Sequence, residues 1–239
     1  MTILSERLHN VAELVTPGLS AADIGCDHGY LSIYLVENKL AEHVIATDIN
    51  QGPLRRAKEN IRKAGLSEMI ETRLSDGLKK LAPGEADCLI MAGMGGRLMS
   101  DIIRTSPAVC EKAAEIILQP QSEIAGVRHF LEESGYLIIS ESMVYEDGKY
   151  YQMMKAVHGA MHLEREIYYK YGKILLHEEN PVLHQFLVQE KKYYVDLYKE
   201  LAAQDPTTRV SDRLIEVEKE LEIVREALNR SKESPYEMP

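Results

Sequence analysis

Only three cysteines, Cys26, Cys88 and Cys110, occur in the 239-residue chain, and none stands at a paired metal-binding spacing. A zinc site or a disulfide framework is therefore not expected, and scattered thiols suit a reducing compartment. No apolar run approaches the length of a membrane span, and the first residues lack the basic-then-apolar pattern of a secretory signal. A cytoplasmic protein is the expectation. Internal repeats and low-complexity tracts are missing too. Positive charge is scarce, with 28 Lys and Arg against 38 Asp and Glu and a net charge of −10. Because phosphate neutralisation supplies much of the affinity for nucleic acid, any such partner must be met by local clusters.

What is present is a rhythm. Strand-like segments fall near residues 20–24, 43–48, 69–74, 87–91, 115–119, 136–145 and 149–158, alternating with helical stretches as far as Gly159. That alternation predicts a doubly wound, mostly parallel α/β sheet. Before it, Leu8, Val11, Ala12 and Val15 recur at helical spacing with Ser5 as N-cap. Only Asp147-Gly148 separates the last two strands, so they form an antiparallel hairpin. After Gly159 the β signal vanishes. Val210, Leu214, Val217, Leu221, Val224 and Leu228 make a heptad seam, and Leu183, Leu187, Tyr194, Leu197 and Leu201 make a compatible one, with Glu190 where an apolar residue belongs. A break at Gln204-Asp205-Pro206-Thr207 predicts a coiled-coil hairpin of two helices. The division expected is a catalytic domain over 1–159 and a helical domain over 160–239.

The first strand runs into Asp23-Ile24-Gly25-Cys26-Asp27-His28-Gly29-Tyr30. Glycines at a strand-to-helix turn let backbone approach a ligand. A dinucleotide fingerprint would read G-x-G-x-x-G, whereas this loop is G-x-x-x-G with an acid inside it. Asp27 would repel phosphates but suits an ammonium-bearing head such as that of S-adenosylmethionine. The second strand ends in Asp48, placed to accept hydrogen bonds from a ribose. The third ends at Asp76-Gly77, and the fourth runs into Ala92-Gly93-Met94-Gly95-Gly96. In an open parallel sheet these tips converge on one crevice. Cys26 is read as a small buried side chain.

Together, Ser5-Glu6-Arg7-Leu8, the loop from Asp23 to Leu31, Ala92 to Gly96, Leu118-Gln119-Pro120-Gln121 and Glu146 to Tyr151 resemble the bacterial tRNA adenine N1-methyltransferases that modify position 22. The resemblance implies the class I methyltransferase plan: a Rossmann-like doubly wound sheet with an antiparallel terminal hairpin, plus a C-terminal helical coiled-coil hairpin. It also implies a cytoplasmic enzyme that moves a methyl group from S-adenosylmethionine to adenine N1 in tRNA; separately, a monomer is the favoured expectation. Alternatives from the residues alone are a small-molecule methyltransferase and a non-catalytic S-adenosylmethionine-binding scaffold. Gly29 stands where alanine is common in relatives, which is expected only to enlarge the loop's freedom, and Asp48 where glutamate is usual.

On this reading the cofactor residues are Gly25, Asp27, His28, Asp48, Asp76, Gly77, Ala92, Gly93 and Met94. Asp27, His28, Tyr30 and Met94 are the candidates around the target base. Arg7, Arg97 and Arg104 are the expected tRNA contacts, and no metal is expected. Two other basic clusters, Arg55, Arg56, Lys58, Arg62 and Lys63 on one predicted helix and Lys191-Lys192 further on, are read as solvated faces.

Overall fold

In a computed structural model, residues 2–205 and 207–230 are described; Pro206 of the expected break lies outside them. Two compact units result, Met1–His162 and Leu163–Pro239.

The first unit begins with α1 (Glu6–Glu13), whose N-cap Ser5 accepts a hydrogen bond from the Leu8 N–H at 3.3 Å. There follow β1 (Leu19–Ile24), α2 (Tyr30–Glu37), β2 (Ala41–Asp48), α3 (Gln51–Lys63), β3 (Ile70–Leu74), β4 (Cys88–Met94), α4 (Gly96–Thr105), α5 (Pro107–Lys112), β5 (Glu115–Pro120), α6 (Ile124–Glu133), β6 (Tyr136–Glu146) and β7 (Lys149–His158). The seven strands form one sheet in the order β3-β2-β1-β4-β5-β7-β6. β1 to β5 are parallel, while β7 runs antiparallel to both β5 and β6. The hairpin turn between β6 and β7 has Asp147 at φ 49° and Gly148 at φ 77°, the left-handed pair that a two-residue primed turn requires.

Burial explains why the parallel strands read as continuous apolar runs. Leu89, Ile90 and Met91 of β4 and Ile117 and Leu118 of β5 are fully covered, with helices on both faces of the sheet. β4 extends three residues beyond its apolar stretch, because Ala92 pairs with Gln119 and Met94 with Pro120. That extension carries the glycine-rich tip into the sheet instead of leaving it in a loop. Chain order reverses between β1 and β4, which are adjacent from Ala21–Cys88 to Ile24–Met91. The ligand crevice of such a sheet opens at that switch point.

The second unit is helical: α7 (Glu166–Tyr171), α8 (Lys173–His177), α9 (Pro181–Ala202) and α10 (Thr208–Arg230). Asn180 caps α9, its Oδ1 accepting from the N–H groups of Val182 and Leu183 at 3.0 Å each. α9 and α10 pack together, and the seam residues Leu183, Leu187, Val217, Leu221, Val224 and Leu228 are buried. The acid in the seam has a reason. Glu190 accepts from the Tyr171 hydroxyl at 2.6 Å and pairs with Lys170 at 3.1 Å, and Lys170 also reaches Glu220 at 2.6 Å. Burial works against the Lys170 charge, but the two carboxylates more than offset it and hold its pKa above the ordinary lysine value. Among the described residues no helix is long and apolar enough to cross a membrane.

Candidate active site at the switch point

Strand β1 delivers Asp23 to the C-terminal edge of the sheet, where only 3% of the residue is exposed. Its Oδ2 accepts from the Ser32 hydroxyl of α2 at 2.6 Å. Burial lifts this carboxyl from 3.8 to about 6, against the lowering effect of the Ser32 hydrogen bonds and with a further push from Asp48. Charge on Asp23 is thus costlier than in solution, a cost that a cation bound beside it would relieve.

Beyond Asp23 the backbone turns sharply. The N–H groups of Gly25 and Cys26 both donate to the Thr47 carbonyl at 2.8 Å, tying the loop to β2. Gly25 lies at φ 77°, and a Cβ there would stand 2.4 Å from the Met94 methyl, so the space that glycine frees is filled by Met94 in this structure. Asp27 follows at φ 49° with its side chain 68% exposed, 3.6 Å from His28 Nε2. The rings of His28 and Tyr30 stack with centroids 5.8 Å apart.

Gly29 corrects a sequence expectation. It is the left-handed N-cap of α2 at φ 72°, and an alanine Cβ would lie 3.1 Å from the Cβ of Ala57. The left-handed backbone and the tight approach of Ala57 both favour glycine here, so the residue eases a constrained turn and does not simply loosen the loop.

Asp48 is 8% exposed at the end of β2. Its Oδ1 accepts from the Asn50 N–H at 2.8 Å and its Oδ2 from the Asp27 N–H at 3.3 Å. A carboxylate has about four acceptor positions, so each oxygen retains capacity for a hydroxyl donor. Nearby, the buried Thr47 Oγ1 has no hydrogen-bond partner among the described residues.

A cavity of about 110 Å³ is lined by Asp23, Gly25, Cys26, Asp27, His28, Tyr30 and Leu31 together with Arg7, Leu8 and Ala92, while Asp48 and Thr47 lie outside its lining. The carboxylates in and beside it suit a ligand bearing an ammonium and a sulfonium, and oppose a pyrophosphate. The S-adenosylmethionine head therefore fits the donor set. Cys26 is 7% exposed, and burial raises its thiol well above the ordinary range, so it is inert packing.

The remaining candidates spread along the same edge. Asp76 pairs with Lys79 at 2.5 Å, and Gly77 at φ 57° lies against Ile102. Gly93 donates its N–H to Gln119 Oε1 at 3.1 Å, and Arg7 donates Nη1 to the same oxygen at 2.7 Å while its guanidinium sits 5.5 Å from the Tyr151 ring centre. Arg97 is exposed at the start of α4. Arg104 is not a free cation: it pairs with Asp101 at 2.5 Å and lies over Phe130. Sequence reasoning assigned no role to Gln119 or Asp23. A polar residue near the C-terminal end of a buried strand was the signal available in both cases.

Residues 4–154 match the methyltransferase-domain family. The tRNA (adenine(22)-N(1))-methyltransferase of Bacillus subtilis (strain 168) is 33% identical over 235 residues, covering 95% of this chain and 97% of the relative. The chain belongs to that family. Among solved structures of the family, the Bacillus subtilis m1A22 tRNA methyltransferase TrmK matches with a TM-score of 0.83 and 32% identity over 95% of this chain and 100% of its own. TrmK of M. capricolum, solved with S-adenosyl-homocysteine, matches with a TM-score of 0.82 and 29% identity over 96% and 99%. Both units of the chain are thus covered by the family's plan. Among the described residues, no group of three or more His, Cys, Asp or Glu is arranged to hold a metal ion.

Proposed function

We propose that this chain transfers the methyl group of S-adenosylmethionine to N1 of adenine 22 in tRNA. The observation that carries this reading is the cluster of Asp23, Asp27 and Asp48 at the switch point of a chain that is similar to its family over both units. When bound, S-adenosylmethionine supplies a methyl group already activated by its sulfonium, so the protein's contribution is alignment and electrostatics.

Asp23 and Asp27 offer carboxylates to the ammonium, and the backbone at Gly25, Ala92 and Gly93 lets the methionine end lie close. Asp48 holds the ribose through its remaining lone pairs, and Asp76 with Gly77 reads the cofactor adenine. On the substrate side, adenine N1 carries its own in-plane lone pair, so no strong base is needed. Positive charge develops on the base instead. Asp27, exposed at the pocket, stabilises that charge and accepts an N6 proton. His28 and Tyr30 orient the base by stacking, beside the Met94 methyl. Methyltransferases of exocyclic amines carry an Asn/Asp-Pro-Pro-aromatic run at this strand end. Ala92-Gly93-Met94-Gly95 suits a ring nitrogen instead.

Since N1 lies on the Watson–Crick edge, the target adenine is met unpaired or flipped. Arg7, Arg97 and Arg104 contact the tRNA, Arg104 by exchanging Asp101 for phosphate, and the helical unit docks the folded RNA. A tRNA substrate places the enzyme in the cytoplasm. The test is methyl incorporation from labelled S-adenosylmethionine into bulk tRNA beside a panel of small amines and hydroxyls. Incorporation into tRNA alone is expected. Labelled metabolites would make it a small-molecule enzyme, and unchanged cofactor throughout would make it a binding scaffold.

A further inference from the structure

Helix α3 carries Arg55, Arg56, Lys58, Arg62 and Lys63, with Glu59 its only acid. At 100° per residue all five cations fall within an arc of about 160°, opposite the buried Ala57 and Ile61. They span about 12 Å of helix. All five are exposed, and none has an ion-pair partner among the described residues. Elsewhere in the first unit, among the described residues, Arg73, Lys79, Arg104, Arg128 and Lys155 are in ion pairs, while Lys39, Lys80, Arg97, Lys112 and Lys149 have none but stand singly, so the distinction of α3 is its density of cations. Stability explains the arrangement only in part: Glu59 lies within the same arc, at i,i+4 from both Arg55 and Lys63, but one carboxylate faces five cations. Arg62 and Lys63 complement the helix dipole in the last turn, but Lys58 with Arg62 at i,i+4 and Arg55 with Lys58 at i,i+3 are like-charge neighbours that cost a helix energy.

The opposite face of the same helix supports the active-site loop. Asn60 Nδ2 donates to the His28 carbonyl at 3.0 Å, and Ala57 packs against Gly29. The cationic arc is therefore fixed rigidly to the segment that bears Asp27, His28 and Tyr30. In a chain of net charge −10, an unpaired cluster of this density is a built-in exception.

Resting on the tRNA reading above, we propose that the α3 stripe is a docking surface for the tRNA phosphate backbone, registering the RNA so that the target adenine reaches the pocket. Phosphate contacts of this kind position a nucleic acid without reading its sequence. The stripe, with Arg7, Arg97 and less so the Asp101-bound Arg104, then supplies the salt-dependent part of the affinity.

The experiment replaces Arg55, Arg56, Lys58 and Arg62 together by Gln in the full chain. It then measures tRNA affinity against salt, S-adenosylmethionine affinity by calorimetry, and single-turnover methylation at saturating tRNA. A loss of tRNA affinity of roughly 30-fold or more at 0.1 M salt is expected, with a shallower slope of log K against log salt by about 3. Cofactor affinity and the saturated rate are expected to change less than about threefold. A variant that binds and methylates tRNA like the unaltered chain, with the same salt slope, overturns the stripe and leaves the function standing. An unaltered chain that binds S-adenosylmethionine but neither binds nor methylates tRNA overturns both.

Discussion

Gln119 Oε1 accepts hydrogen bonds from Arg7 Nη1 and from the Gly93 N–H, so one buried amide joins the first helix to the tip of β4 beside the pocket. Gln119 is fully buried, and its own Nε2 donates to the Pro120 carbonyl at 3.2 Å. Arg7 is thereby held beside Tyr151 and aimed at the cavity instead of sweeping through solvent. If the two residues act as one device, Arg7→Ala and Gln119→Leu each lower kcat/KM for tRNA by roughly 10-fold or more, and the double variant is little worse than either single one. The coupling energy in that cycle is expected to be about 1–2 kcal/mol. Additive losses would separate their roles.

Asp23 gives a pH dependence with a definite sign. Its folded pKa of about 6 stands above its ordinary 3.8 because burial disfavours the charge. Between those values the folded state holds a proton that the unfolded state has lost. Stability from this group is therefore greatest at low pH and falls as pH rises towards 6, then stays flat. Asp23→Asn should raise the thermal midpoint of the cofactor-free protein at pH 7.5, by an amount corresponding to on the order of 3 kcal/mol, and the gain should shrink towards pH 4. The same variant should bind S-adenosylmethionine more weakly. Melting curves and calorimetry across pH 4–8 check both halves.

Lys170, Glu190, Glu220 and Tyr171 make a polar layer in the helical unit. Glu190→Ala leaves the Tyr171 hydroxyl without that acceptor and removes one of two carboxylates from Lys170. We expect a loss of about 2 kcal/mol in the stability of the helical unit, read by thermal or denaturant unfolding. Replacing Lys170, Tyr171 and Glu190 together by Met, Phe and Leu should restore most of it, since the Tyr171 hydroxyl then no longer needs an acceptor and no buried charge is left unpaired.

Much of this architecture was legible in the sequence. All seven strands sit within a few residues of their expected positions, because a parallel strand buried on both faces leaves an unbroken apolar run and Asp147-Gly148 permits little but a tight hairpin. The strand end of β4 was misplaced, since Ala92, Gly93 and Met94 have no β propensity of their own and are held by pairing with β5. Among the expected site residues, Asp27, His28 and Tyr30, read from loop composition, line one cavity with Gly25 and Ala92, whereas Asp48, Asp76, Gly77, Gly93 and Met94 do not line it. The Gln119 bridge was not legible, because it depends on contacts across 112 residues of chain. Charge posed the same difficulty: only coordinates separate Arg104, neutralised by Asp101, from the unpaired residues of α3.

Asp27→Asn isolates the chemistry. The change keeps side-chain size and much of the hydrogen bonding but removes the negative charge proposed to face the base. At saturating S-adenosylmethionine and tRNA, single-turnover methylation should slow by roughly 10²-fold. An unchanged saturated rate with a raised cofactor requirement would assign Asp27 to the ammonium alone.

The most direct measurement is to incubate the purified protein with unmodified tRNA and S-adenosylmethionine and map the product nucleotide. N1-methyladenine at position 22, with S-adenosyl-homocysteine formed in equal amount, is the predicted result. Methylation at another position, or on the exocyclic nitrogen of adenine, would contradict the account.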